Sequence, residues 1–106
     1  MINFEDFQKI DIRVGKVIEA EDIENSNKLL KLKVDLGIEK RQIVAGIKGF
    51  YKPEELMGKE IVVIFNLEPK VLAGIESQGM LLAADVDEKP IILIPEKEVP
   101  IGTKVK

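Results

Sequence analysis

Between Asn66 and Met80, polar groups stand at fixed offsets between two strongly apolar segments: Asn66 itself, Lys70 one residue past Pro69, then Ser77 and Met80 three residues apart around Gly79. A side-chain amide both donates and accepts, which suits a base edge or a ribose hydroxyl. A lysine suits a phosphate, and a hydroxyl with a polarizable thioether can line one rim. This is the chemistry of recognition. Upstream, Lys31 and Lys33 alternate with Leu30, Leu32, Val34 and Leu36, so both ammonium groups leave one side of a strand while the apolar set leaves the other. Arg41 lies on the return strand of the same hairpin and is expected to face them. Each residue has an ordinary alternative: solvated lysines, an Asx-turn at Asn66 ahead of Pro69, a core methionine. The ordered set is more informative than any member of it.

Cysteine and histidine are both absent, which removes disulfides, thiolate nucleophiles, imidazole bases and nearly all transition-metal sites. Neither catalysis nor a cofactor nor a metal is expected. The net charge of −3 argues, taken alone, against a nucleic-acid partner, but its distribution is uneven: residues 1–25 carry −4, residues 26–80 carry +2 and residues 81–106 carry −1. A cationic footprint must therefore be local, with modest affinity and moderate salt dependence. No apolar run approaches the ~20 residues that cross a bilayer, and Met1–Asp6 has neither a basic nor an apolar leader region, so a soluble, cytoplasmic protein without membrane partners is expected. The abundance of lysine, glutamate and isoleucine fits either heat adaptation or AT-rich codon usage.

At 106 residues the chain makes one domain, 1–106, with one core. Asn3 caps a short helix whose Phe4 and Phe7 need a surface to cover. Ile10, Ile12 and Val14 alternate with Asp11 and Arg13 at strand period, and Gly15 is placed where a bulge would curve the strand. Residues 19–27 connect to the alternating strand at 30–36, Gly37–Lys40 turns, and residues 41–47 return. Pro53–Gly58 has proline first and glycine last, the asymmetry of a short helix. Residues 61–65, 80–84 and 91–94 are apolar on both sides, more than one small core can cover. The spare face, with Phe4, Phe7, Ile91, Ile92, Leu93 and Ile94 and the C-terminal part from about 86 to 106, is expected to meet a second copy. The competing expectation is that helices and loops cover it within one chain. An all-β barrel with short helices, five strands and a helix between the third and fourth, is the Greek-key OB-fold.

The segments 28–35, 41–47 and 66–80 together resemble the tRNA-binding OB-fold family, found as the C-terminal or beta-subunit module of methionyl-tRNA synthetases and as free-standing structure-specific tRNA-binding proteins. The resemblance runs from about Phe7 to the C-terminus. It implies a five-stranded barrel with C-terminal extension strands that help form a homodimer, and a non-catalytic role supporting aminoacylation, with tRNA and a synthetase catalytic subunit as partners. It implies further that Asn66, Lys70, Ser77 and Met80 face the tRNA, with Lys31, Lys33 and Arg41 in the family-like hairpin. Relatives often carry further basic residues after the proline, whereas Val71, Leu72 and Ala73 add none. The alternative implied by bacterial relatives is an export-associated chaperone that binds unfolded peptide in the dimer groove, which the acidic balance suits better. Gly46-Ile47-Lys48-Gly49 has the letters of a KH-domain loop but follows a strand, and is set aside.

Overall fold

In the computed structural model, which describes all 106 residues, the element order is α1 (Phe4–Gln8), β1 (Ile12–Asp22), β2 (Leu30–Asp35), β3 (Lys40–Ala45), α2 (Pro53–Leu56), β4 (Glu60–Ile64), β5 (Lys70–Leu72), β6 (Ile75–Ser77), β7 (Met80–Leu81), β8 (Ala83–Val86), β9 (Lys89–Ile92) and β10 (Lys104–Val105). The main sheet runs β3-β2-β1-β4-β7 and curls until β7 approaches β3, giving a nearly closed OB-type barrel. The alternation at residues 30–36 is the reason its wall is well defined. Leu30, Leu32, Val34 and Leu36 are at most 1% exposed and enter the core with Ile43, Leu56, Ile61 and Val63. A one-residue slip would put all four into water, so the register is fixed. Asn3 caps α1 by accepting from the Asp6 N–H at 2.8 Å. In α2, Glu55 accepts from the Lys52 N–H at 2.9 Å and Leu56 plugs the barrel.

Three expectations are corrected. Gly15 is not a bulge: the register between β1 and β2 shifts between Val17 and Glu19. Gly15 is instead a point of close approach, where a Cβ would lie 2.5 Å from Val34 Cγ1 and 2.9 Å from Leu36 Cδ2. The faces of β1 are also reversed. Register places Arg13, Gly15 and Val17 opposite the core-facing Val63, Ile61 and Val34, while Ile12 and Val14 lie on the other side, covered by β10 and the turn before it through Ile12↔Val105 and the Gly102 N–H donated to the Val14 carbonyl. Finally, Ile92 is not an interface residue. It is 8% exposed within the chain's own core, because β9 folds back on β8 with Ala83↔Ile92 in register.

The apolar C-terminal segment therefore divides. Ile92 points in, whereas Ile91, Leu93 and Ile94 remain 43–57% exposed. Helix α1 buries no residue of its own; Phe4 is exposed and Phe7 half-buried, their rings 6.3 Å apart.

Candidate nucleic-acid interface

Two arginines close one end of the barrel. Arg13 and Arg41 occupy core-facing registers of β1 and β3, opposite Val63 and Val34, where a charged head fits only because the barrel ends there. Both stack on Phe65, the residue after β4, with guanidinium carbons 4.5 and 3.7 Å from the ring centroid. Arg13 donates Nε and Nη2 to Asp11 at 2.9 and 3.0 Å. Arg41 donates Nε and Nη2 to Glu39 at 3.1 and 3.4 Å, and Nη1 to the carbonyls of Phe65 and Gln78. Hydrogen bonding to Arg13 holds the Asp11 carboxyl below the ordinary carboxylate range against the opposing effect of burial, and raises Arg13 in turn. The expectation that Arg41 faces Lys31 and Lys33 is thus corrected: it turns to the barrel end, and its fork is spent on its own chain.

Asn66 follows Phe65 and shares a cleft with Arg41, Glu39, Pro69 and Gln78. Its Oδ1 accepts from the Asp11 N–H at 2.8 Å and its Nδ2 donates to the Lys9 carbonyl at 2.6 Å. This is not the local Asx-turn but a bridge across 55 residues that ties the loop to the junction of α1 and β1. One lone pair and one N–H of the exposed amide stay unbound.

The third polar residue of the motif is interred. Ser77 is 5% exposed; its Oγ accepts from the Val44 N–H and donates to the Gly79 carbonyl, both at 3.0 Å. Along the same free edge of β3, Gln78 Oε1 accepts from the Gln42 N–H at 3.0 Å, the Gln78 N–H reaches the Gln42 carbonyl at 2.8 Å, and Gln42 Nε2 reaches the Glu76 carbonyl at 2.8 Å. Three side chains and one backbone bond, in place of a regular ladder, satisfy the edge that would otherwise stay open. Gly79 completes the seam at φ +147, where a Cβ would meet the Ile64 carbonyl oxygen at 2.8 Å. A ligand-facing role for Ser77 does not fit a buried hydroxyl with both functions used.

Lys31 and Lys33 do stand on the outer wall, in a groove with Glu19, Glu21 and Gln42. Lys31 is paired with Glu21 at 2.6 Å, while Lys33, across from Glu19 in register, makes no ion pair. Gln42 lines this groove and Gln78 lines the Asn66 cleft, so the Gln42–Gln78 clasp stands between the two. Lys70 is exposed on the β5–β6 hairpin, opposite Ser77. Met80, on β7, is 45% exposed and stands opposite Ile64. Arg13, Gln42, Phe65 and Gln78 were not among the expected site residues. The alternation of Arg13 with Ile12 and Val14 gives no sign that it faces inward, and nothing in the sequence marks the glutamines as a seam.

The family model described as "Putative tRNA binding domain" matches residues 12–104. The methionine–tRNA ligase of Pyrococcus furiosus is 56% identical over 105 residues, which are 99% of this chain and 14% of that protein; the chain thus spans about one-seventh of the length of such curated relatives. Among solved structures, the MetRS-related protein from Pyrococcus horikoshii matches with a TM-score of 0.95 at 43% identity, covering 100% of this chain and 98% of that one. The CsaA chaperone protein from Picrophilus torridus matches with a TM-score of 0.91 at 35% identity, with both chains fully covered.

Proposed function

The chain belongs to the tRNA-binding domain family, and from that premise we propose that it is a non-catalytic module that binds tRNA by shape and supports aminoacylation by a methionyl-tRNA synthetase. The observation that carries this is the 56% identity to a methionine–tRNA ligase sustained over 99% of the chain. The matched family model describes a tRNA-binding domain, so in this reading the catalytic chemistry belongs to another domain or chain, with this module as its beta subunit or appended domain. Recognition uses the outer groove and its neighbours: Lys33 and Lys70 as phosphate contacts, Lys31 after exchange of its exposed partner Glu21, the unbound half of the Asn66 amide, and the exposed Met80. A surface ion pair such as Lys31–Glu21 is worth about 0–1 kcal/mol, so a phosphate displaces the carboxylate readily. Asn66 and the Gln42–Gln78 clasp position this surface, and Ser77 and Arg41 support it from beneath. The protein works as a cytoplasmic homodimer joined through α1 and the exposed residues Ile91, Leu93 and Ile94.

The experiment is a filter-binding titration of unfractionated tRNA at several salt concentrations, with Lys33→Ala beside the wild type. Each neutralised phosphate contributes about 0.7–0.9 to the slope of log K against log salt. Wild-type retention with a slope of about −2 to −3, reduced by about one contact in K33A at unchanged melting temperature, is the expected result. The competing reading, in which the chain binds unfolded peptide, is favoured by its likeness to the CsaA chaperone protein and by its net charge of −3. A flat salt profile together with binding of a reduced, unfolded polypeptide would establish that reading and remove ours.

A further inference from the structure

A hollow of about 580 Å³ opens between the loop after β1 and the turn before α2, away from the Asn66 cleft, and Phe50, Lys52, Asp22, Asn27 and Glu54 line it. Its volume lies within the ~300–1,000 Å³ usual for small-molecule sites. Phe50 leaves half of its surface to solvent, although an aromatic ring gains more than most side chains from burial. Its neighbour Tyr51 turns inward, and the Tyr51 hydroxyl accepts from the Ile92 N–H at 3.2 Å. The hollow is preformed. Lys48 Nζ donates to the Ser26 carbonyl at 2.7 Å and the Lys48 N–H to the Lys28 carbonyl at 3.1 Å, tying its two sides together. Gly49, at φ +92, makes the reversal that presents the ring.

We propose that this hollow is a stacking site for an unpaired, amino-bearing nucleobase of the bound RNA, with Phe50 as its platform. Charge decides which part of a nucleotide enters. Asp22 and Glu54 at the rim repel phosphate but accept hydrogen bonds from exocyclic amino groups, as carboxylates do from cytosine, and the Asn27 amide can donate or accept. Two lysines share the lining: Lys48 Nζ is committed to the Ser26 carbonyl, and Lys52, which makes no ion pair, is the cation left to meet the phosphate beside the base. Lys33 and Lys31 point outward two residues apart, about 6.8 Å along β2, and the strand leads back to Lys28 at the edge of the hollow. A backbone following those lysines delivers a base to Phe50. Cytidine, adenosine and guanosine fit, whereas uridine, without an amino group, does not.

This site rests on the RNA-binding reading above, and the test keeps the two separable. The chain has no tryptophan and one tyrosine, so Phe50→Trp installs the only indole, which is excited at wavelengths too long for Tyr51. Wild type, F50A and F50W are titrated with unfractionated tRNA, and F50W also with oligocytidylate and oligouridylate. Loss of one base–aromatic stack predicts tRNA affinity weakened roughly 5- to 150-fold in F50A, with the melting temperature and sedimentation of wild type. F50W keeps the affinity, and its emission is quenched by tRNA and by oligocytidylate more than by oligouridylate. Wild-type affinity in F50A, or F50W emission unmoved at saturating tRNA, overturns the site while leaving the RNA reading intact. A changed sedimentation coefficient in F50A overturns it too, by assigning Phe50 to contact between copies. A wild type that retains no tRNA removes the function and the pocket together.

Discussion

Asn66, Arg41 and Ser77 carry the side chains best equipped to hydrogen-bond a ligand, and Arg41 and Ser77 spend theirs on their own chain while Asn66 spends half of its amide there. Burying a polar group without a partner costs about 1–3 kcal/mol, so at a barrel end and along a seam the fold claims these groups first. Lys33, Lys70 and Met80 are the members of the expected set that stay free. The same rule sets the state of Asp11. Because Arg13 holds its carboxyl below the ordinary value, the folded chain takes up that proton less readily than the unfolded chain. The stabilisation is complete above the unfolded carboxylate pKa, about 3.9, and is lost as pH falls through the lower folded value. Asp11→Asn keeps the shape and removes the charge. It should cost on the order of 1 kcal/mol at neutral pH and lose part of the steepness of stability against pH below about pH 4, measured by urea melts at constant m-value. An acid limb parallel to that of the wild type would mean the pair contributes nothing in solution.

At the scale of elements, the seam between β3 and the Ser77–Gly79 segment decides whether the barrel closes. Ser77→Ala leaves the buried Val44 N–H unpaired and should destabilise by about 1–3 kcal/mol, a fall of several degrees in melting temperature for a domain of this size. A variant that melts with the wild type yet binds tRNA more weakly would return Ser77 to the ligand side. What could be read in advance follows the same physics. The β2 wall was legible because one face alone is buried and period two is unambiguous, and both helices announce themselves through local capping and proline placement. The faces of β1 were not, because the inward register carries the charged Arg13 at the barrel end and the cover for Ile12 and Val14 arrives only with β10, some 90 residues later. The seam is mostly side chain to backbone, with one backbone bond from the Gln78 N–H to the Gln42 carbonyl, so it leaves no periodic trace. The β8–β9 hairpin turns through Asp87 and Glu88 at φ 51 and 67, without the glycine that usually marks such a turn.

For the whole molecule, the question is which apolar surface one chain cannot cover. Period two on β9 sends Ile92 into the core and Ile91 outward, opposite Ala84. Ile91, Leu93 and Ile94 lie close in sequence and stay about half exposed, and α1 presents Phe4 without burying any residue in its own barrel. Apolar area is worth roughly 25 cal/mol per Å² removed from water, so a second copy that covers both patches gains where a lone chain cannot. Two substitutions one residue apart therefore have different fates. Ile91→Asp places a charge only at the proposed contact between copies; it should leave the folded chain intact by circular dichroism while shifting sedimentation from dimer to monomer. Ile92→Asp puts the same charge into the core and should unfold the chain outright. An I91D chain that still sediments as a dimer would move the contact to another face, and a monomeric wild type would remove the dimer. In that case the lysine groove and the Asn66 cleft of a single copy would have to supply all of the RNA affinity, and the slope against salt would be that of one copy's lysines alone.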